Sequence, residues 1–229
     1  MSNRFDRLHP CRKAQARCPA RCFRLLAIAA LTFAAALAAR AQFNAPASTT
    51  VLDASLLKPP PGARIAIVEF ADLECPACAR ANPIVEGAAQ QYKIPWIRHD
   101  LLIPGHLWSP KAAVYARWFD ARSKSLGDEY RDAVFANQTS IYNLDALQQF
   151  TGRFAQSHGI ALPFAVDPDG KLAAAVEADS QMGRRTGILQ TPTIFIVTAG
   201  PGGDNYLEVR DPGRDLYRTI DQAMAAMRH

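Results

Sequence analysis

The segment RIAIVEFA, at residues 64–71, is an almost uninterrupted apolar run rich in β-branched residues. Such a run is typical of a strand covered on both faces by helices, because a strand with one face in water alternates apolar and polar residues. A helical pattern follows in CARANPIVEGAAQQYK, where Pro83 is expected to kink the helix, and IPWIRHDLLI is again extended. The order strand, helix, strand predicts an α/β unit with parallel strands.

The remainder of the chain is predicted to form a block of helices, followed by two strands and a final helix. The block contains the amphipathic segments SPKAAVYARWFDARS, LGDEYRDAVFANQ, NLDALQQFTGRFAQSHG and KLAAAVEADSQMGRR, with no strand pattern between them. TPTIFIVT and YLEVR are predicted strands joined by the turn GPGGDN, and DLYRTIDQAMAAM is a predicted helix. Strands on both sides of the block can complete one sheet, so we predict one domain at residues 64–229 with a helical insertion at about residues 109–185.

The first 41 residues have the pattern of a secretory signal peptide. An arginine-rich lead precedes the apolar run LLAIAALTFAAALAA and the small-residue site ARA. The run has 15 residues, fewer than the roughly 20 that span a bilayer, which favours cleavage after Ala41 over an N-terminal membrane anchor. We therefore expect a periplasmic or secreted protein. Residues 42–63 are rich in Ala, Ser, Thr and Pro and are predicted to be an extended leader, with order beginning near Arg64.

The positive charge of the chain belongs to this N-terminal segment. The whole chain has a formal net charge of +5, but residues 1–41 contain eight of its 26 basic residues and one of its 21 acidic residues. The rest has 18 basic and 20 acidic residues. A basic surface that would bind nucleic acid is therefore not expected, and nucleic acid is excluded as a partner.

The number and spacing of the cysteines favour a reactive pair over a scaffold that is held together by structural disulfides. Cys11, Cys18 and Cys22 lie in the segment predicted to be removed, which leaves Cys75 and Cys78. Stapled secreted domains have numerous cysteines spread through the sequence. A single close pair in an oxidising compartment favours a redox function.

The position of the pair at the start of a predicted helix explains how it could react. Unpaired N–H groups of the first helical turn stabilise a thiolate, and in Cys-X-X-Cys motifs thiol pKa values fall to roughly 3.5 to 7.5. Cys75 is placed to be ionised, whereas Cys78, one turn deeper, is shielded. This asymmetry suits disulfide exchange, with Cys75 forming the mixed disulfide and Cys78 resolving it. Pro76 stiffens the intervening loop and Ala77 adds no charge.

Two further sites have a plain and a functional interpretation. Glu69, on the strand that leads to the cysteines, would have a raised pKa if buried and could relay a proton to or from Cys78; alternatively it reaches water at a strand end. Thr191-Pro192 comes directly before a predicted strand, where proline is common. The alternative for this bond is a cis peptide.

The combination of VEFADLECPAC, a helical insertion, TPTIFIV and a final β-β-α resembles the thioredoxin superfamily. Over about residues 64–229 it resembles the secreted DsbA-like thiol:disulfide oxidoreductases in particular. The resemblance implies a thioredoxin fold in which Cys75 is the exposed nucleophile and Cys78 the resolving cysteine. It also implies that Pro192 is a cis-proline facing them. It further assigns the family's buried acidic position to Glu69 and substrate contacts to Thr191, Pro76 and Ala77. Strongly oxidising members often have His where this chain has Ala77.

The predicted function is that of an exported thiol:disulfide oxidoreductase that acts on polypeptides in the oxidative direction. Its redox group is the Cys75–Cys78 pair, without a further cofactor or metal. A membrane redox partner would regenerate the pair, and we expect a monomer. Reduction or isomerisation would use the same residues, although no dimerisation domain of an isomerase is visible in the sequence.

Other interpretations of the cysteine pair are a zinc site and a non-catalytic thioredoxin-fold binding module. A structural zinc ion needs four ligands, so His99 and His106 would have to join the cysteines, and their spacing fits no standard ligand pattern. In a binding module the pair would be a structural disulfide, but a loop closed over so few residues gains little from a cross-link. The aromatic residues of the insertion are predicted to form its core, with one or two at the rim of the active site: Trp108, Tyr115, Trp118, Phe119 and Phe135.

Overall fold

One four-stranded sheet organises the computed structural model, which describes residues 49–200 and 203–228. The strands are β1 (Ile65–Ala71), β2 (Trp96–Asp100), β3 (Thr193–Gly200) and β4 (Gly203–Val209). Their order across the sheet is β2-β1-β3-β4, with β1 parallel to β2 and antiparallel to β3, and β4 antiparallel to β3. The predicted signal peptide, residues 1–41, lies outside the described residues.

The helices follow the predicted order. They are α1 (Pro76–Tyr92), α2 (Ser109–Asp120), α3 (Lys124–Ala136), α4 (Leu144–Ser157), α5 (Lys171–Arg185) and α6 (Pro212–Ala226), and a 3-10 turn at Gln138–Ser140 follows α3. Helices α2 to α5 are inserted between β2 and β3, so the predicted order β-α-β, helical insertion, β-β-α is confirmed. Pro83 lies inside α1, and the helix continues through it from Pro76 to Tyr92.

The strand β1 is buried on both faces, as its continuous apolar sequence predicts. On one face Ile65 and Ile67 pack with residues of α1 and α6. On the other face Val68 and Phe70 belong to a second cluster that includes Leu101 from the end of β2. Because β1 lies between β2 and β3, its C-terminal end is at a central position along the edge of the sheet. The loop that follows it is where the cysteine pair is placed.

The insertion has an aromatic core of its own. The rings of Phe119, Tyr130 and Phe154 come from three helices and have centroids 4.8 to 5.2 Å apart. The Tyr130 hydroxyl is 2.7 Å from Thr151 Oγ1, which supplies a hydrogen-bond partner for a buried polar group. The prediction that aromatic side chains form this core is confirmed, since all of those it named are buried: Trp108, Tyr115, Trp118, Phe119 and Phe135.

The compact unit begins earlier than the predicted boundary at residue 64. The segment at residues 49–63 belongs to the same compact unit and packs on the sheet. Leu57 is fully buried in the cluster on the second face of the sheet, and Leu52 N donates to Thr186 O at 2.8 Å. The composition of this segment resembles a linker, but Leu57 packs against residues of β1 and β3 in that cluster.

The predicted turn GPGGDN is also shorter than expected, because β3 and β4 continue to pair as far as Gly200 and Gly203. Pairing along the antiparallel ladder here overrides the low strand propensity of glycine. Among the residues described, no helix combines the length and the apolar character needed to cross a membrane.

Candidate active site

The cysteine pair lies at the start of α1, directly after the loop that leaves β1. Cys75 is the N-cap residue, with φ −77° and ψ 118°, and Pro76 occupies the first helical turn. Proline is well suited there because its missing N–H would have no partner in the helix. Both cysteines are free thiols, with Cys75 only 7% exposed and Cys78 fully buried. Cys75 is thus less exposed than the family resemblance implies.

The two thiols have opposite acid strengths. The pKa of Cys75 is lowered to about 5, chiefly by the hydrogen bond from the Cys78 thiol. A side-chain hydrogen bond from Thr191 and backbone N–H groups of Cys78 and Ala77 lower it further, and burial opposes them. Burial raises the pKa of Cys78 well above its ordinary value, and the hydrogen bond to Cys75 adds to this effect. At neutral pH the pair therefore holds one thiolate and one thiol.

A distant loop completes the site. Cys75 Sγ lies 3.4 Å from the backbone oxygen of Thr191, to which the protonated thiol donates. This contact favours the thiol, but the donors around Sγ outweigh it. The Thr191-Pro192 peptide bond is cis, and the loop is braced by Thr193 Oγ1, which donates to Gln190 O at 2.9 Å. Thr191 and Pro192 are half-buried, Ala77 is half-buried and Pro76 is exposed, so the rim of the site is accessible.

Glu69 is buried beneath the pair and does not reach water. Its carboxyl accepts a hydrogen bond from Trp96 Nε1 at 2.9 Å, and the residue is 1% exposed. Burial raises the pKa of Glu69 to about 7, although the positive charge of Arg98 opposes the shift. Arg98 is the register partner of Glu69 on β2 and lies over the Trp96 ring at 3.5 Å. The charge on Glu69 in turn raises the pKa of Cys78, so the two groups are coupled.

Three side chains that the sequence did not single out hold the loop before Cys75. Asp72 accepts hydrogen bonds from Glu74 N and Ile103 N, both at 2.8 Å. Glu74 accepts from Trp108 N at 2.7 Å and Ser109 N at 3.0 Å, and so caps the start of α2. Gln138 donates to two carbonyl oxygens of the loop.

Local sequence contains a signal for one of these three side chains only. Asp followed two residues later by a backbone donor is a common turn pattern, which could have identified Asp72. Glu74 binds residues that are 34 and 35 positions away in the chain, and Gln138 binds residues 65 and 63 positions away. No local pattern indicates contacts at that separation.

The histidines that a zinc site would need are engaged with carboxylates. His99 Nδ1 is 2.8 Å from Asp179 Oδ1, and its ring stacks on Phe70. His106 Nδ1 lies 3.0 Å from Asp72 Oδ1, an ion-pair distance without hydrogen-bond geometry. Within residues 49–200 and 203–228, no group of three or more His, Cys, Asp or Glu side chains is arranged to hold a metal ion.

Comparison with known proteins places this geometry among related folds. A family model described as Thioredoxin matches residues 60–199. None of the curated protein sequences matches the chain significantly.

Solved structures with the same fold come from several bacteria. BdbD from Bacillus subtilis, in its oxidised form, is 18% identical, with a TM-score of 0.60 over 80% of this chain and 99% of that one. ScsC from Proteus mirabilis is 16% identical, with a TM-score of 0.59 over 89% and 94% of the two chains. Alpha-DsbA1 from Wolbachia pipientis is 19% identical, with a TM-score of 0.55 over 74% and 92%. At these identities the likeness establishes a shared fold.

Proposed function

The chain belongs to the thioredoxin family, and on that premise we propose that it is an exported thiol:disulfide oxidoreductase that acts on polypeptides. Its DsbA-like fold, with helices inserted between β2 and β3, agrees with the resemblance seen in the sequence. The observation that carries the proposal is the Cys75 thiol, with a pKa of about 5, lying beside both Cys78 and the cis-Pro192 loop. Such an arrangement suits a sulfur that must leave as an anion.

The proposed reaction moves two electrons from substrate thiols to the Cys75–Cys78 disulfide. A substrate thiolate attacks Cys75 Sγ; the bond to Cys78 breaks, and its electron pair goes to Cys78 Sγ, which takes up a proton. A second substrate thiolate then attacks the substrate sulfur of the mixed disulfide. This step forms the substrate disulfide and releases Cys75 as a thiolate.

Glu69 and the loop at Thr191 have separate roles in this proposal. Glu69, with a pKa of about 7, can give a proton to Cys78 as the disulfide opens and take it back when the pair is reoxidised. Thr191, on the cis-Pro192 loop, presents backbone groups to the substrate chain close to Cys75. Pro76 and Ala77 form the adjoining rim and contact the same substrate.

The direction that we propose is oxidation of the substrate. A thiolate held by several donors stabilises the reduced enzyme, and a stable reduced form makes the disulfide a stronger oxidant. Ala77 contributes through its backbone N–H, so the low pKa does not depend on a histidine in the dipeptide. A membrane redox partner would reoxidise the pair after export through the predicted signal peptide, and the protein would act as a monomer. A reductase or isomerase would use the same residues with a less oxidising disulfide.

The decisive experiment is the redox equilibrium of the purified protein with glutathione. An oxidase should be fully reduced by glutathione mixtures that leave a thioredoxin-like reductase mostly oxidised, because reduction potentials of these two classes differ by about 150 mV. A disulfide that stays oxidised under those mixtures would contradict the oxidative direction.

Mixed-disulfide trapping tests the exchange itself. Cys78→Ala leaves the nucleophile without a resolving thiol. The Cys75 thiolate can then attack a disulfide in a polypeptide and displace one of its sulfurs as a thiolate, so covalent adducts with disulfide-containing polypeptides should accumulate and be released by reductant. Cys75→Ala is the matched control and should give none. The absence of adducts with Cys78→Ala, together with no exchange with glutathione, would instead support a non-catalytic binding module.

A further inference from the structure

Gln138 joins the helical insertion to the backbone of the loop that contains Cys75. It begins the 3-10 turn after α3, and its Nε2 donates to Leu73 O at 2.8 Å and to Cys75 O at 3.1 Å. A primary amide has two N–H donors, so both can be used on this loop. The contact depends on the insertion folding back over the start of α1.

The carbonyl groups that Gln138 binds belong to buried residues. Leu73 is 4% exposed and Cys75 is 7% exposed, so water has little access to their backbone. The Cys75 carbonyl also accepts from Ala79 N at 3.1 Å, as the first acceptor of α1. Because buried carbonyl groups require donors, the loop is held in the conformation in which one amide reaches both oxygens.

The orientation of the Cys75 backbone determines where its sulfur lies. Sγ must lie within reach of the hydrogen-bond donors that lower its pKa, which are in the first turn of α1 and in the side chain of Thr191. Its distance of 3.4 Å from the Thr191 backbone oxygen shows that it lies against that loop. Hydrogen bonds weaken steeply as their angles depart from linearity. A rotation of the Cys75 peptide unit would therefore weaken several of these contacts together.

The other side chains that hold the loop bind residues other than Cys75 itself. Asp72 binds backbone N–H groups of Glu74 and Ile103, and Glu74 binds the start of α2. These contacts fix the path of the chain before Cys75. The amide of Gln138 differs from them because it binds the carbonyl of the nucleophilic residue itself.

We propose that Gln138 is a positioning residue, which fixes the backbone of Leu73 and Cys75 and so aligns Cys75 Sγ with the first turn of α1 and with Thr191. The insertion thereby supports the reactivity of the nucleophile through one side chain. The consequence for catalysis rests on the proposed disulfide exchange, whereas the effect on ionisation of the Cys75 thiol does not.

The test compares Gln138→Met with Asn137→Ala in the full mature protein. Methionine has a similar length and no N–H donor, so it removes both hydrogen bonds while filling the same space. Asn137 is the matched control, because it is the adjacent amide and its Nδ2 donates to Ala133 O at the C-terminal end of α3, away from the Cys75 loop. Ionisation of Cys75 is followed by the pH dependence of its alkylation in the reduced protein, and the redox equilibrium is measured with glutathione.

We expect Gln138→Met to raise the pH of half-ionisation of Cys75 by about one unit. The glutathione equilibrium should shift about tenfold towards the disulfide form, which corresponds to about 30 mV for this two-electron couple. Asn137→Ala should leave both quantities unchanged. A Gln138→Met protein with a lower unfolding temperature but wild-type thiol ionisation and redox equilibrium would overturn the inference, since Gln138 would then be structural only.

Two further outcomes are distinguishable. If Gln138→Met does not fold, Gln138→Asn, which keeps an amide on a shorter side chain, is measured instead, and wild-type behaviour of that variant contradicts the inference. If the wild-type protein does not exchange with glutathione at all, the proposed function fails. The alkylation profile of Cys75 then still decides whether Gln138 positions the thiol.

Discussion

At the scale of single residues, the Cys75 thiol and the Glu69 carboxyl are shifted in opposite directions by their surroundings. Hydrogen-bond donors lower the pKa of Cys75 to about 5, whereas burial raises the pKa of Glu69 to about 7. The Cys75 contribution to stability of the reduced protein is complete above the unfolded thiol value and is lost as pH falls through about 5. The Glu69 contribution is complete below 4.5 and is lost as pH rises through about 7. Between about pH 5 and about pH 7, a rise in pH therefore increases the stabilisation that comes from Cys75 and decreases the stabilisation that comes from Glu69.

Replacing Glu69 with Gln should stabilise the reduced protein only at pH values at which the Glu69 carboxyl would be ionised. The difference between a carboxyl pKa of 4.5 and one of about 7 corresponds to up to about 3 kcal/mol once the pH exceeds the higher value. Glutamine can still accept the hydrogen bond from Trp96. The free energy of unfolding should be measured by urea denaturation at about pH 4 and about pH 8.

The control for this experiment is Glu177→Gln, an exposed carboxyl whose replacement should change stability little at either pH. Equal stability of wild type and Glu69→Gln at the higher pH would show that Glu69 does not carry a burial penalty. Slower exchange at Cys78 in the same variant would agree with the proposed proton relay.

At the scale of helices, α2 and α3 approach each other where α3 has a glycine instead of a side chain. A Cβ at Gly127 would lie 2.8 Å from the backbone nitrogen of Asp120 and 2.6 Å from its Cγ. The same Asp120 carboxylate binds the buried Arg131 through two hydrogen bonds of 2.8 and 2.6 Å. The close approach of the helices and the ion pair therefore depend on one small residue.

Gly127→Ala should destabilise the protein although alanine has the higher helix propensity. The added methyl displaces Asp120 and disrupts both hydrogen bonds that its carboxylate accepts from the buried Arg131, for which we expect a loss of about 2–4 kcal/mol. Gly152→Ala in α4 is the matched control, since an added Cβ meets no atom within 4 Å there. That variant should gain up to about 1 kcal/mol. Urea denaturation of both variants checks the prediction, which is wrong if they shift stability in the same direction.

At the scale of the whole molecule, the segment that precedes β1 is part of the domain. Leu57 belongs to the cluster that covers the second face of the sheet, and Leu52 N donates to Thr186 O at the C-terminal end of α5. The segment therefore contacts both the second face of the sheet and the C-terminal end of α5. It is packed in spite of a composition that is typical of linkers.

Leu57→Ala should destabilise the protein by about 2–4 kcal/mol, because Leu57 is fully buried and its truncation leaves a cavity in the cluster. The matched control is Leu52→Ala, whose side chain is 73% exposed and whose loss should change stability by less than about 0.5 kcal/mol. Thermal and urea unfolding of the two variants provide the comparison. If both variants are as stable as wild type, the segment contributes nothing to the core.

The sequence by itself determined the order of strands and helices, because the periodicity of apolar residues reflects which faces are buried. It also determined the cysteine pair at the start of α1 and the acidic residue on β1, since these motifs are local and continuous. The packed segment before residue 64, the extended β3-β4 pairing and the loop contacts of Asp72, Glu74 and Gln138 were decided by the tertiary structure. Those features depend on space and on unpaired backbone groups in distant parts of the chain. Likewise, the opposite ionisation of Cys75 and Glu69 arises from burial and from donors that only the folded chain brings together.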